Sequence, residues 1–195
     1  MITEERLEKL KQVVTKRQKG LILVLEDIHF PSNAQAMFRS AESFGVQDVY
    51  MIFEREKVFD PAKAEKEVSA SGYKWLNFHY FDSSKACFAQ LKKDGYTIVI
   101  TALDDKAENL YTADFSEEKI ALVVGNEPKG VSPVALETAD RVVMMPMLGL
   151  VQSLNVSVSS GIFLYEITRQ RYPELDKFKL STKEQQELIK DFSSR

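Results

Sequence analysis

Apolar positions along this chain switch repeatedly between a period of 3.6 and continuous short runs. Residues 3–18 place Leu7, Leu10, Val13 and Val14 at helical spacing, and Gly20 is the expected stop. The run LILVL at 21–25 is apolar throughout, as expected of a strand buried on both faces of a parallel sheet. Ser32 with Gln35 forms a capping-box pattern that predicts a helix over 33–44, closed by Gly45. A strand follows at 49–53, and Asp60-Pro61 predicts the start of a helix over 61–70. A strand is expected at 76–81. Asp82 is the expected cap of a helix reaching Lys93, and Asp94-Gly95 stops it. Strands at 96–103 and 120–124 flank a polar crossing, and Ser132-Pro133 opens a short helix to Ala139.

The chain is organised around residues 144–171. A strand at 141–144 enters an apolar loop broken by Pro146 and Gly149, and Ser153 is the expected N-cap of the helix that follows. That helix carries Ser157, Ser159, Ser160 and Gly161 within five positions. Serine has no propensity reason to cluster inside a helix, so close approach of another backbone is expected there. The loop before it offers main-chain groups beside apolar side chains, which suits a flat heterocycle with polar edges; a plainly buried helix with an apolar entry loop fits as well. Pro173 ends the helix, and Ser181 with Glu184 opens a last amphipathic one carrying Leu188 and Phe192.

Strands that alternate with helices and are apolar on both faces predict an α/β fold with a mostly parallel open sheet and helices on both faces. Ligands bind beyond the carboxyl ends of strands in such sheets. Three non-routine loops lie there, at 27–33, 125–130 and 145–152. The expected division is a helical extension over 1–20, one domain over 21–172 and a second helical extension over 173–195.

Composition narrows the chemistry. No apolar run approaches the ~18–20 residues of a membrane span, and the charged start MITEERLEKLKQ does not read as a signal peptide. The lone Cys87 excludes an intramolecular disulfide and fits a reducing, cytoplasmic setting. His29 and His79 are the only histidines, too few for zinc without further ligands at sensible spacing, so no metal is expected. The net charge is −3, which counts against simple phosphate-backbone binding, but its distribution is uneven. Residues 1–20 carry six basic side chains against three acidic, and residues 163–183 carry five against three. If the two ends meet, they form a basic surface on an acidic body.

No G-x-G-x-x-G follows the first strand, and GNEPKG at 125–130 lacks the spacing and final Lys-Ser/Thr of a Walker loop. Its two glycines suit a tight turn that presents Glu127. The helix after the first strand presents Asn33 and Arg39, both able to border the carboxyl edge of the sheet.

Together, N-x5-R at 33–39, GNEPKG and PMLGLVQSLNVSVSSGIFLYE at 146–166 resemble the three motifs of the SpoU branch of the SPOUT methyltransferases. The resemblance covers roughly residues 17–171. The runs TKRQKG, TALDD and TRQR bring it nearest to members that methylate guanosine 18 in the tRNA D-loop. It implies a C-terminal trefoil knot, which pattern alone would never suggest because true knots are nearly absent from proteins. It implies S-adenosylmethionine as cofactor, contacted at Thr101, Gly125, Met145 and Leu154. It implies a homodimer whose site takes Arg39 from one subunit and cofactor from the other, and 2′-O-methylation of a tRNA ribose. The family assigns Arg39 to activating the hydroxyl. Arginine is effectively never neutral in a protein, so stabilising the developing alkoxide or holding the adjacent phosphate is the better physical role. Asn33 and Glu127 are expected to orient Arg39 or substrate, and Ser153 and Asn155 to fix the loop. Arg17, Arg169 and Arg171 match basic positions that the family uses for tRNA. The alternatives are a SpoU enzyme acting elsewhere on tRNA or on ribosomal RNA, a non-catalytic SpoU-like RNA-binding protein, and an ordinary nucleotide-binding α/β enzyme.

Overall fold

The computed structural model describes residues 2–62, 71–104 and 106–195. Its centre is a seven-stranded sheet: β1 (Gln18–Glu26), β2 (Val46–Ile52), β3 (Asn77–Phe81), β4 (Thr97–Thr101), β5 (Glu108–Asn109), β6 (Ile120–Val124) and β7 (Arg141–Met144). Every pairing is parallel, and the order is β3-β2-β1-β6-β4-β7-β5. The helices are α1 (Glu4–Val14), α2 (Pro31–Ser43), α3 (Ser84–Lys93), α4 (Pro133–Thr138), α5 (Val156–Arg171) and α6 (Thr182–Ser194).

The continuous apolar runs divide between two cores, as a two-residue side-chain period requires. Leu21, Leu23 and Leu25 of β1 join Met37 and Phe38 of α2 and Phe163, Leu164 and Ile167 of α5 on one face. Ile22 and Val24 join Cys87, Phe88 and Leu91 of α3 and Ala135 of α4 on the other. Cys87 is a buried core residue, and burial pushes its thiol up to about 12, which removes it as a nucleophile. A third cluster ties the termini together: Leu10 and Val14 of α1 pack with Leu188 and Phe192 of α6.

Several boundaries differ from expectation. The first helix stops at Val14, and Gly20 lies inside β1 with φ +74, where a Cβ would come within 2.2 Å of Glu118 O. Ser32 caps nothing. Pro31 occupies the first turn of α2, the cap position falls on Phe30 without a side-chain bond, and Gln35 instead donates to Pro61 O at 2.6 Å. Ser83, not Asp82, caps α3. Asn155, not Ser153, caps α5 by accepting from Ser157 N at 2.8 Å. The expected helix over 61–70 lies largely outside the described residues.

The order of strands sets the site. From β1 the chain builds β2 and β3 outward on one side, then crosses to β4 on the other, with β6 inserted beside β1. Adjacent strand ends whose connections leave in opposite directions open a crevice. The carboxyl ends of β1, β6, β4 and β7 stand side by side there.

Candidate active site

Four loops meet at that crevice around a cleft of about 660 Å³. The loop after β1 is pinned from behind. Glu26, fully buried at the end of the strand, accepts from Ser132 N at 2.8 Å and from the hydroxyls of Ser132 and Ser84. Asp27 follows with φ +50, a left-handed conformation that aspartate tolerates better than most side chains. Its buried carboxylate accepts from the amides of Glu54, Arg55 and Glu56 and from Arg55 Nε at 2.9 Å. Burial alone would raise this carboxyl, but the bonds from Arg55, Glu56 and Glu54 outweigh it and hold the group below its usual range.

The loop after β6 is a tight turn closed on itself, with Asn126 N to Gly130 O at 3.0 Å and Gly130 N to Asn126 O at 2.8 Å. Gly125 is required there: a Cβ would lie 2.5 Å from Gly130 C. Asn126 fastens this turn to the first loop by donating to Asp27 O at 2.7 Å and Glu56 Oε1 at 3.2 Å. The turn aims Glu127 across the cleft. Glu127 Oε2 accepts from His29 N at 2.8 Å, and Oε1 accepts from Phe30 N at 3.3 Å and Asn33 Nδ2 at 2.7 Å. Asn33 Oδ1 in turn accepts from Asn155 Nδ2 at 3.1 Å. Asn155 Oδ1 accepts from both the amide and the hydroxyl of Ser157. One hydrogen-bonded chain therefore links the first turn of α2, the β6 turn and the cap of α5.

Asn33, Thr101, Gly125, Glu127, Met145, Ser153, Leu154 and Asn155 all line this cleft. Ser153 lies in the loop before α5, two residues short of the observed cap. From Pro146 to Leu154 the main chain makes no hydrogen bond among the described residues. Its amides and carbonyls are free for a guest, beside Met145 and Val143. That donor and acceptor set fits a heterocycle held by main-chain bonds. Among the described residues no cluster of three His, Cys, Asp or Glu could hold a metal ion.

Four expected residues stand elsewhere. Arg39 is exposed on α2, six residues and about 240° around the helix from Asn33, and does not line this cleft. Arg17 and Arg171 are 1% and 2% exposed and are corrected from surface RNA contacts to internal braces. Arg17 donates to Val46 O at 2.9 Å and pairs with Glu42 at 3.2 Å. Arg171 donates to Glu117 O at 3.0 Å, reaches Gly20 O and Glu118 O, and lies 4.3 Å over the Phe178 ring. Burial brings its guanidinium down to about 10. Arg169 is exposed and doubly bonded to Glu166 at 2.8 and 2.7 Å. The two basic ends do meet, with Gln18 Nε2 donating to Thr168 Oγ1 at 3.0 Å and Arg171 to Lys19 O, but two of their arginines are buried. Asn126 and Phe30 were missed as site residues; inside GNEPKG, Asn126 Oδ1 accepts from Lys129 N at 3.1 Å, a local bond to which asparagine is suited.

The model of the SpoU rRNA Methylase family matches residues 20–165. The chain belongs to the SpoU family. Among relatives, the tRNA (guanosine(18)-2′-O)-methyltransferase of Aquifex aeolicus is 34% identical over 195 residues, covering 99% of this chain and 90% of that protein. The enzyme of the same name from Thermus thermophilus is 34% identical over 169 residues, covering 87% and 84%. The crystal structure of the A. aeolicus TrmH/SpoU tRNA modifying enzyme superposes with a TM-score of 0.84 at 33% identity, covering 98% of this chain and 96% of that one. All three stretches that carry the SpoU resemblance contribute to the cleft described above, and the loop after β4 completes it.

Proposed function

We propose that this SpoU protein transfers a methyl group from S-adenosylmethionine to a tRNA ribose 2′-hydroxyl, that of guanosine 18. The observation that carries this reading is the chain Glu127–Asn33–Asn155, which brings the polar residues of all three SpoU-like stretches onto one cleft wall. The relatives' activity supports the substrate.

Thr101, Gly125, Met145 and Leu154, with the unpaired main chain of 146–154, would hold the cofactor. When bound, it supplies an already activated methyl group. The protein's share is alignment and charge stabilisation. Glu127 fixes the side-chain amide of Asn33, and Asn33 and Asn155 then present a rigid polar edge to the incoming ribose. Arg39 supplies a permanent positive charge to the developing alkoxide or its neighbouring phosphate.

The position of Arg39 outside its own cleft supports a homodimer with shared sites. A second observation agrees: α2 and α5 leave between them an open groove lined by Phe44, Val158, Ile162 and Tyr165, with Val158 50% and Tyr165 54% exposed. A Cβ at Gly161 would lie 3.5 Å from Ser40 Oγ, an ordinary van der Waals contact, so the packing of α2 on α5 does not itself demand glycine there. Ser160, fully buried, packs inward and belongs to the subunit's own core. The knotted threading of the loop after β7 is part of the same proposal, as are terminal extensions at both ends of a methyltransferase domain; the expected boundary at 20/21 falls inside β1 and moves to the start of that strand at Gln18. Cytoplasmic residence follows from the substrate.

Incubating purified protein with total tRNA and labelled S-adenosylmethionine, then mapping 2′-O-methylated positions, tests the reading. Label at guanosine 18 is expected. Label confined to other tRNA positions, or to ribosomal RNA in a parallel reaction, replaces the substrate. No label with intact binding of S-adenosylhomocysteine favours the non-catalytic alternative.

A further inference from the structure

Phe30 is 52% exposed, yet it lines the cleft beside Asn33 and Glu127. It occupies the cap position of α2, where serine, threonine, aspartate or asparagine would bond a first-turn amide; the phenyl ring makes no such bond. The position therefore forgoes a cap and leaves about half of a large apolar ring exposed.

The ring is nevertheless held. Pro31 confines Phe30 to extended backbone, observed at φ −101 and ψ 112. Its amide donates to Glu127 Oε1, and the preceding amide of His29 donates to Glu127 Oε2. The His29 imidazole stands edge-on to the phenyl ring, with centroids 4.6 Å apart, and its Nδ1 lies 3.1 Å from Glu56 Oε2. Glu56 is fixed in turn by Asn126. The carboxylate that orients Asn33 thus also sets the backbone of an exposed aromatic ring next to it.

We propose that Phe30 is the platform on which the base of the target nucleotide stacks while its ribose enters the cleft beside Asn33. The inference rests on the RNA substrate proposed above. Every base has a π-face, so a phenyl ring holds a base without reading its identity. Because Glu127 positions both Phe30 and Asn33, the stacked base and the reacting ribose share one reference point. Phe30 is a substrate-positioning residue with no part in bond making.

The test is a double-mutant cycle between the ring and the base. Wild type, Phe30→Ala and Phe30→Trp are assayed on a tRNA transcript and on the same transcript abasic at position 18. S-adenosylhomocysteine affinity is measured by calorimetry for each. On intact transcript, Phe30→Ala is expected to lower kcat/KM by about 5- to 150-fold through KM, and Phe30→Trp to retain most of it. On the abasic transcript wild type and Phe30→Ala should converge, with S-adenosylhomocysteine affinity unchanged throughout. A Phe30→Ala loss that is equal on both transcripts, or matched by a loss of S-adenosylhomocysteine binding, overturns the proposal and makes the ring part of the cleft wall. Unchanged Phe30→Ala kinetics in a protein that does methylate guanosine 18 overturns this inference alone. A wild type that methylates no tRNA overturns the proposed function together with it.

Discussion

Asn33 Nδ2 lies 2.7 Å from Glu127 Oε1, although the two residues are 94 positions apart in sequence. The carboxylate already accepts two backbone amides from residues 29 and 30, so it is a fixed acceptor. Asn33 is thereby locked with its carbonyl turned toward Asn155. Glu127→Gln replaces one acceptor oxygen by a donor and sets an amide against the donors that surround it. The expected result is a turnover lower by about 10²-fold with cofactor affinity little changed, since misplacing a positioning group has that order of effect. Single-turnover methylation and calorimetry with S-adenosylhomocysteine separate the two. Equal losses in both would move Glu127 from positioning substrate to holding cofactor.

Arg39 provides a contrasting case. It is exposed and does not line the cleft, so replacing it should leave fold and cofactor binding intact. Arg39→Ala is expected to cut the maximal rate by about 10²–10³ while changing tRNA affinity little. Arg39→Lys should recover little, because an ammonium lacks the planar fork. Near wild-type turnover of Arg39→Ala at saturating tRNA and cofactor would reduce Arg39 to a surface residue.

The alternation of strands and helices was legible because both faces of the sheet are covered, which gives runs such as 21–25 and 120–124 their unbroken apolar character. The meeting of the three loops was legible from the parallel reading alone, since every such strand delivers its loop to the same edge. The chain of Glu127, Asn33 and Asn155 was not, because its bonds span 94 and 122 positions and depend on strand order. The starts of α3 and α5 were misplaced because two capping side chains lay near each other, Asp82 beside Ser83 and Ser153 near Asn155, and the start of α2 because Pro31 opens that helix without a side-chain cap. The arginines failed for a related reason. A sequence shows the charge of Arg171 but not the carbonyls of Gly20, Glu117 and Glu118, which converge only in the folded chain.

Arg171 and Arg169 should therefore separate in their effects. Arg171→Ala removes a buried charged donor from several carbonyls and is expected to cost at least about 1.5–3 kcal/mol of stability, read as a lower urea midpoint. Arg169→Ala should leave stability nearly unchanged and weaken tRNA binding, with the slope of log Kd against log salt smaller by about one. An Arg169→Ala protein with an unaltered salt slope places the RNA path elsewhere.

Asp27 gives the site a defined acid limit. Its carboxyl is held below the usual value of about 3.9, so the unfolded chain binds a proton more readily than the folded one. The stability from its bonds is present above the unfolded value and is lost as pH falls through the folded one. Asp27→Asn removes the titration while keeping a residue that accepts φ +50. The variant should be less stable than wild type at pH 7, and the gap should narrow below about pH 4. Urea denaturation at a series of pH values measures it; a gap that is constant from pH 7 to pH 3 would mean that the charge of Asp27 adds nothing.

The shared-site reading makes the strongest demand on pairs of variants. In a homodimer whose cleft is completed by the partner's Arg39, an Arg39→Ala subunit still offers an intact cleft, and a Glu127→Gln subunit still offers an intact arginine. Each variant alone is nearly inactive. A heterodimer of the two contains one site with both parts intact and one with neither. Unfolding and refolding the variants together in equal amounts should restore roughly a quarter of wild-type activity, since half the dimers are mixed and each holds one good site. Val158→Glu, which puts a charge in the groove between α2 and α5, should abolish both assembly and this recovery. Light scattering follows the first and methyl incorporation the second. No recovery from a mixture that demonstrably forms heterodimers would confine each site to one subunit, and Arg39 would then have to reach its own cleft by a movement of α2.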